Sequence, residues 1–558
     1  MAYVITQRCC NDASCLPQCP VDCIRPTRED PAFASAEMLY IDPGACIDCG
    51  ACVEACPVGA IYSADELPQH LLRYEDINAR YFERHPLQSR PEAIGAGRPR
   101  RSPSRPLRVV IVGSGPAACY AANDLLRRSN VQVDMLERLP TPWGLVRAGV
   151  APDHSATKAV SGIFEPAFKR EAMRLHLNVE AGRDVSHEEL LEHAHAVIYA
   201  VGASSERRLG IPGEDLPGSH AASRFVAWYN GHPDFADTEF DLSGERVAIV
   251  GNGNVALDAA RILLTDPDVL ATTDIADHAL YALRESKVRE VVLLGRRGPL
   301  QAAYSSAEFL ALGYLDDVDV VIDGKELVLD PFSERTAADP DLDPELALKL
   351  SLAEEYSRRP LALGRRRIVF RYRASPVEIL GEDKVESVKV VRNELVEVGG
   401  ELGSVATDDA ETLDAFLVLR SIGYHGEPVP GVPFDDTRGV IPNLAGRVTD
   451  QGSPVPGVYV TGWIKRGPRG VIGTNRGCAL ETVEALIDDF EAGALDDPST
   501  DPGSLGAMLR QRQPDVLGYP EWSVVDRLEK QRGRTVGRPR VKLTTKAEIL
   551  DVIAKSRG

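Results

Sequence analysis

The chain has 558 residues and a formal charge of −20, with 44% hydrophobic and 26% charged residues. This acidic balance excludes nucleic-acid binding through a basic surface, and no apolar run reaches the roughly 18 residues a membrane-spanning helix needs. The length suggests about three or four domains at roughly 150 residues each. Eleven cysteines are present, and nine of them fall within the first 56 residues. The start, Met1 to Gln7, has no basic stretch followed by an apolar one, so a cytoplasmic setting is expected. Thiols stay reduced there, and clustered cysteines serve metals before disulfides.

The first segment, residues 1–62, is too small for a large apolar core. Cys46-x2-Cys49-x2-Cys52-x3-Cys56-Pro57 is a bacterial ferredoxin run, in which three thiolates wrap one cluster and the cysteine before proline crosses to the other. Soft, anionic thiolates suit iron–sulfur chemistry. The first half repeats the spacing as Cys9-x2-Asp12-x2-Cys15-x3-Cys19-Pro20, with Asp12 where the second cysteine belongs. By the crossing rule Cys19, Cys46, Cys49 and Cys52 hold a 4Fe-4S cluster. Cys9, Cys15 and Cys56 hold the other, which is 3Fe-4S with Asp12 free or 4Fe-4S with Asp12 as ligand. Cys10 is an alternative to Cys9 that breaks the spacing, and Cys23 is surplus.

Residues 63–106 read as a linker whose end, 95–106, is rich in proline, glycine and arginine. At Leu107 the pattern changes. Arg108 to Val112 is a β-branched apolar run that reads as a buried parallel strand, and helical and strand patterns alternate after it. Gly113-Ser114-Gly115-Pro116-Ala117-Ala118 fits GxGxxG/A: Gly113 for the turn, Gly115 for pyrophosphate approach, Ala118 for helix–strand packing. The next strand ends in Glu137, where an acid binds a ribose hydroxyl pair. Gly251-Asn252-Gly253-Asn254-Val255-Ala256 repeats the motif. Its following strand ends in Arg296-Arg297, which favours a 2′-phosphate and so NADP(H) over NAD(H). Residues 316–360 are acidic and helical in tendency, without a readable role. The fold class is α/β, with two Rossmann-like dinucleotide-binding domains behind an α+β ferredoxin-like domain. The expected boundaries are 107–214 and 420–558 for a split first domain with a C-terminal tail, and 215–419 for the second.

Two resemblances cover nearly the whole chain. Residues 1 to about 62 resemble the seven-iron or eight-iron bacterial ferredoxins. Residues 107–558 look like the adrenodoxin-reductase type of ferredoxin–NADP reductase, through GLVRAGVAPDH at 144–154, GNGNVALD at 251–258, GRRGPLQAA at 295–303, SIGY at 421–424 and GWIKRGP at 462–468. The second resemblance implies FAD held by Gly113, Gly115, Ala117, Ala118, Glu137, Leu145 and Val185, with Trp463, Gly470 and Ile472 at the flavin ring. It implies NADP at Asn252, Gly253, Asn254, Val255, Arg296, Arg297 and Glu308, with Gly470 near the nicotinamide. His154 would lie near the flavin, either as a proton-handling residue or as a hydrogen-bonded loop residue. The activity implied is hydride transfer from NADPH to FAD, then single electrons to the clusters and to an external ferredoxin or heme oxygenase system. The alternative is an electron-input subunit of a larger reductive synthase.

Overall fold

The computed structural model describes residues 2–34, 36–87, 101–340, 342–398 and 401–557. Two large sheets carry the body of the molecule. In the first, Leu107–Val112 lies between the parallel strands Val131–Glu137 and Ala196–Tyr199, with Met173–Leu177 beyond on one side. The late strand Ser453–Val460 adds in parallel on the other side of Ala196–Tyr199. The first domain is therefore made from two separated stretches of chain. Five of the six residues of Leu107–Val112 are buried, as expected for a strand covered on both faces.

The first sheet ends in the antiparallel strands Arg447–Asp450 and Asn443–Leu444, whereas the second is parallel throughout. Arg246–Val250 sits between Leu417–Arg420 and Glu290–Gly295, followed by Arg366–Tyr372 and Val318–Ile322. The chain enters this sheet at Ser219–Ala221 and leaves it after Leu417–Arg420. An antiparallel meander of Ala374–Leu380, Ser387–Val398 and Glu401–Asp414 is appended to it. No helix among the described residues is long and apolar enough to cross a membrane.

The N-terminal unit holds two small antiparallel pairs, Tyr3–Ile5 with Ile61–Ser63 and Ile24–Arg25 with Tyr40–Ile41. Residues 63–106 are not a linker throughout, and this corrects the sequence reading. Arg73–Arg84 is a helix that buries Tyr74, Asn78 and Phe82 against the small strands. The Asn78 amide staples them: Nδ2 donates to Ile5 O at 2.8 Å, and Oδ1 accepts from Ile41 N–H at 2.9 Å and Ile5 N–H at 3.3 Å. A buried amide with all its groups paired specifies this packing as firmly as an apolar residue would. The unit thus extends to residue 84. Further on, Arg105 lies over the Phe490 ring, and Ser104 N–H donates to Glu491 at 2.8 Å, so the chain follows the helix Thr474–Glu491 before entering the first sheet. The remainder of the expected tether, including Arg98 and Arg100, lies outside the described residues.

Candidate functional site

Both glycine turns take the same shape. Gly113 has φ +106, and a Cβ there would stand 2.5 Å from Ala200 O. Gly251 has φ +115, and a Cβ would overlap Ser421 O. Each turn feeds a helix, Pro116–Leu125 and Asn254–Leu264, whose N-terminal N–H groups point toward an anion position. A Cβ on Gly115 would meet nothing within 4 Å, so bare backbone borders open space where a pyrophosphate would fit. Ala117 and Ala118 are buried in the first turn of the helix. A Cβ on Gly462 would lie 2.6 Å from Ala117 Cβ, which brings the end of the last strand onto the first turn.

Glu137 closes this turn from below. Its Oε2 accepts the Ser114 N–H at 3.0 Å and hydroxyl at 2.7 Å, its Oε1 accepts the Leu139 N–H at 2.9 Å, and burial raises its pKa. Leu145 opens a short helix and is 41% exposed, whereas Val185 is packed in the core beside Val112 and Leu136. Half-buried Trp463 stands 5.6 Å from Tyr424 between ring centroids. Gly470 is exposed with φ +82, and Ile472 is half-buried in the same loop.

In the second domain Asn252, Gly253, Asn254 and Val255 are half-buried around the turn, and Asn254 Oδ1 accepts the Ser305 N–H at 2.7 Å. Arg296 is exposed and Arg297 half-buried at the end of Glu290–Gly295, and neither forms an ion pair among the described residues. Two uncommitted guanidinium groups at this position suit a phosphate. His154, Asp258 and Glu308 have ligand atoms within 4.8 Å of one another, with His154 Nε2 3.8 Å from Glu308 Oε2. Burial pushes Asp258 up to about 7, against His154, which lowers it. Asp258 lies inside GNGNVALD but was not singled out by its sequence context.

The nine N-terminal cysteines lie in two adjoining groups. Cys9, Cys10 and Cys15 each have Cys56 and Asp12 as electrostatic neighbours, Cys15 has Cys52 as well, and Cys52 has Cys46, Cys19 and Cys49 around it. Sulfurs in both sets accept backbone N–H groups: Leu39 to Cys9 at 3.5 Å, Ala60 to Cys56 at 3.3 Å, Cys23 to Cys19 at 3.4 Å. The Cys23 thiol also lies 3.4 Å from Cys19 Sγ, and this hydrogen bond lowers the Cys19 pKa. Cys10 packs with Val58, Ala60 and the alanines of Pro116–Leu125, in the apolar cluster shared with the first domain. Soft thiolates with N–H donors form a donor set that fits iron–sulfur clusters.

The sequence did not mark the residues that join this unit to the body. Gly473 N–H donates to Cys10 O at 2.9 Å, and a Cβ on Gly473 would overlap the backbone of Asn11 and Asp12. Glu37 accepts the Ser306 N–H at 2.7 Å and pairs with Lys349 at 3.3 Å. Tyr40 OH donates to Glu345 at 2.5 Å, and Arg73 pairs with Glu355 at 2.7 Å. The helix Pro344–Arg358, in the acidic stretch without a readable role, is therefore a seat for the N-terminal unit.

These features define a two-dinucleotide oxidoreductase with an iron–sulfur module docked on both of its domains. Residues 107–292 match the pyridine nucleotide-disulphide oxidoreductase model, and residues 39–62 match the 4Fe-4S binding domain model. The chain is 48% identical over 560 residues to the probable ferredoxin/ferredoxin–NADP reductase of Mycobacterium tuberculosis, covering 99% of this chain and 94% of that protein. It is 41% identical over 468 residues to the mitochondrial NADPH:adrenodoxin oxidoreductase of Arabidopsis thaliana, covering 81% of this chain and 96% of that one. The solved structure of Mycobacterium tuberculosis FprA in complex with NADPH superposes with a TM-score of 0.76 at 48% identity, covering 81% of this chain and 100% of that one. The chain belongs to the ferredoxin–NADP reductase family, in its form with a fused N-terminal ferredoxin.

Proposed function

We propose that this chain carries electrons from NADPH through FAD into its own ferredoxin unit, and from there to an external ferredoxin or heme enzyme. When bound, FAD accepts hydride and releases electrons singly to iron–sulfur clusters, chemistry that belongs to the cofactors. The chain's residues supply position. The Gly113 turn and the N-terminus of Pro116–Leu125 hold the FAD pyrophosphate, with Gly115 leaving room for it. Arg296 and Arg297 hold the NADP 2′-phosphate, and the Asn252 to Val255 turn its pyrophosphate. Trp463, Gly470 and Ile472 border the flavin ring. His154 lies 3.8 Å from Glu308 with Asp258 close to both and paired with Arg261, which places His154 for a proton-handling role beside the flavin. Cys19, Cys46, Cys49 and Cys52 hold a 4Fe-4S cluster, and three thiolates, Cys9, Cys15 and Cys56, suit a 3Fe-4S cluster. Free cysteines throughout agree with a cytoplasmic setting.

One observation carries the reading. The loop that borders the flavin site is joined to the cysteine loop by the Gly473 to Cys10 backbone hydrogen bond. The relay is built into the chain. The test is Cys49→Ser in the full chain. NADPH oxidation by a dye should continue at the wild-type rate, while NADPH-driven reduction of an added ferredoxin should fall about tenfold or more. Failure of NADPH to bleach the wild-type cluster absorbance under anaerobic conditions would defeat the reading.

A further inference from the structure

Asp12 stands where the repeated spacing calls for a fourth thiolate, and the reductase body has already claimed it. The residue is 4% exposed. Its Oδ2 accepts the Tyr120 hydroxyl at 3.2 Å and Arg476 Nη1 at 3.2 Å, and its Oδ1 accepts the Ser14 N–H at 3.0 Å. Its carbonyl oxygen accepts Arg476 Nη1 at 3.0 Å and Arg28 Nη2 at 3.2 Å. Arg476 also donates to Ser14 Oγ at 2.9 Å. Tyr120 belongs to the helix that leaves the first glycine turn, and Arg476 to the helix Thr474–Glu491 that leaves the 470–473 loop. Both carboxylate oxygens are thus engaged, and one of them takes two donors from the reductase body. A guanidinium and a metal compete for the same carboxylate lone pairs, and a buried carboxylate that gave up Arg476 would leave that cation unpaired.

We propose that Asp12 is a domain clamp and not a cluster ligand. It is a positioning residue that fixes the Cys9, Cys15 and Cys56 face of the ferredoxin unit on the flavin-bordering loop and leaves that face with three thiolates. The proposal rests on the cluster reading above and deepens it. An order of relay follows. The three-thiolate face is the inner station, because Cys10 and Asp12 touch the reductase through Gly473, Tyr120 and Arg476. The face holding Cys19, Cys46, Cys49 and Cys52 is the outer station, with Cys49 exposed and Ile47 58% exposed beside it.

The experiment uses the full-length protein purified without oxygen, as wild type, Asp12→Asn, Arg476→Met and Arg476→Lys. Three readouts are taken: iron content, electron paramagnetic resonance of the oxidised protein, and hydrogen exchange of the Gly473 and Ser14 amides. A clamp predicts the three-iron signal in wild type and the same signal in Asp12→Asn. It also predicts exchange about tenfold faster at Gly473 in Arg476→Met, with most of the loss restored in Arg476→Lys. A wild type without the three-iron signal, which then gains it in Asp12→Asn, would make Asp12 a ligand and overturn the proposal. Unchanged exchange at Gly473 in Arg476→Met would overturn the clamp by itself. Protein that takes up no iron would instead sink the cluster reading, a different outcome from either.

Discussion

The ferredoxin unit meets the reductase along two seams built from different materials. Against the first domain a close backbone-on-backbone approach is flanked by the Asp12 carboxylate with Tyr120 and Arg476. Gly473 touches the Cys10 to Asp12 loop with no room for a Cβ, and beside it Arg476 pairs with Asp12 at 3.2 Å. Against the second domain the contact runs through side chains, the carboxyls of Glu37 and Glu345 raised by burial, with Tyr40 and Lys349 beside them. Close backbone approach fixes a distance, and electron transfer needs a fixed distance from the flavin side. The NADP side has no such demand, and its seam can loosen without breaking the relay.

The largest effect should come from filling the first seam. Gly473→Val places a branched side chain into the backbone of Asn11 and Asp12, so the ferredoxin unit must move away or the loop must deform. Overpacking of this kind costs about 3 kcal/mol. NADPH-driven cluster bleaching in stopped flow should slow strongly. Bleaching at the wild-type rate would mean that electrons do not cross at this loop.

Next is Lys349→Met in the second seam. Lys349 is 7% exposed and is the cation beside Glu37. Without it Glu37 remains largely buried near Glu345, both carboxyls already raised by burial. Removing the charged partner of such a group costs about 1–3 kcal/mol. Exchange of the Ser306 amide, which donates to Glu37, should quicken, while Gly473 stays protected. Loosening of both amides together would show that the seams are one unit.

The contrast between the seams also separates what the sequence exposes from what it hides. Gly113 and Gly251 are legible because a turn with positive φ requires glycine there, and motif spacing carries that requirement. The two half-motifs of cysteines are legible as a repeat because their spacing lies within one short stretch of chain. Gly473 is different. Its φ is −65, so no turn demands glycine, and the requirement comes from a loop more than 450 positions earlier in the chain. The helix Arg73–Arg84 reads as polar because its central buried residue is Asn78, an amide that satisfies strands on either side. Pro344–Arg358 was opaque for a similar reason: the side chains it turns to the seam are Glu345 and Lys349, which have meaning only beside Glu37 and Tyr40.

A pH series sharpens the comparison further. Glu345 sits at about 7, raised from 4.5 first by burial and then by Glu37, with Asp343 adding to the rise and Tyr40 and Lys349 opposing it. A carboxyl that binds its proton more tightly in the folded seam contributes stability below its ordinary value of 4.5. That contribution is lost as pH rises toward 7. One proton gives at most about 1.4 kcal/mol per pH unit. Ser306 protection should therefore weaken from acid toward neutral pH and level off above it, and Glu345→Gln should flatten the slope. The slope at Ser306 that Glu345→Gln removes should not be mirrored at Gly473, which has no contact with Glu345. A slope that survives in Glu345→Gln would assign the titration to another group.

The smallest effect belongs to Arg73, at the outer edge of the second seam. Its pair with Glu355 at 2.7 Å joins the ferredoxin unit's helix to Pro344–Arg358, but the two side chains are 43% and 31% exposed. Glu355 also pairs with Arg359 on its own helix at 2.6 Å, so it keeps a cation when Arg73 is removed. Water and salt screen what remains, and exposed pairs of this kind contribute under about 1 kcal/mol. Arg73→Ala should leave Ser306 and Gly473 protection within error at moderate salt, with a small difference visible only at low ionic strength. A loss as large as that of Lys349→Met would mean that the second seam is held at its rim and not at its buried carboxylates, and the distinction between a fixed and a titratable seam would then have to be redrawn around the helix Arg73–Arg84.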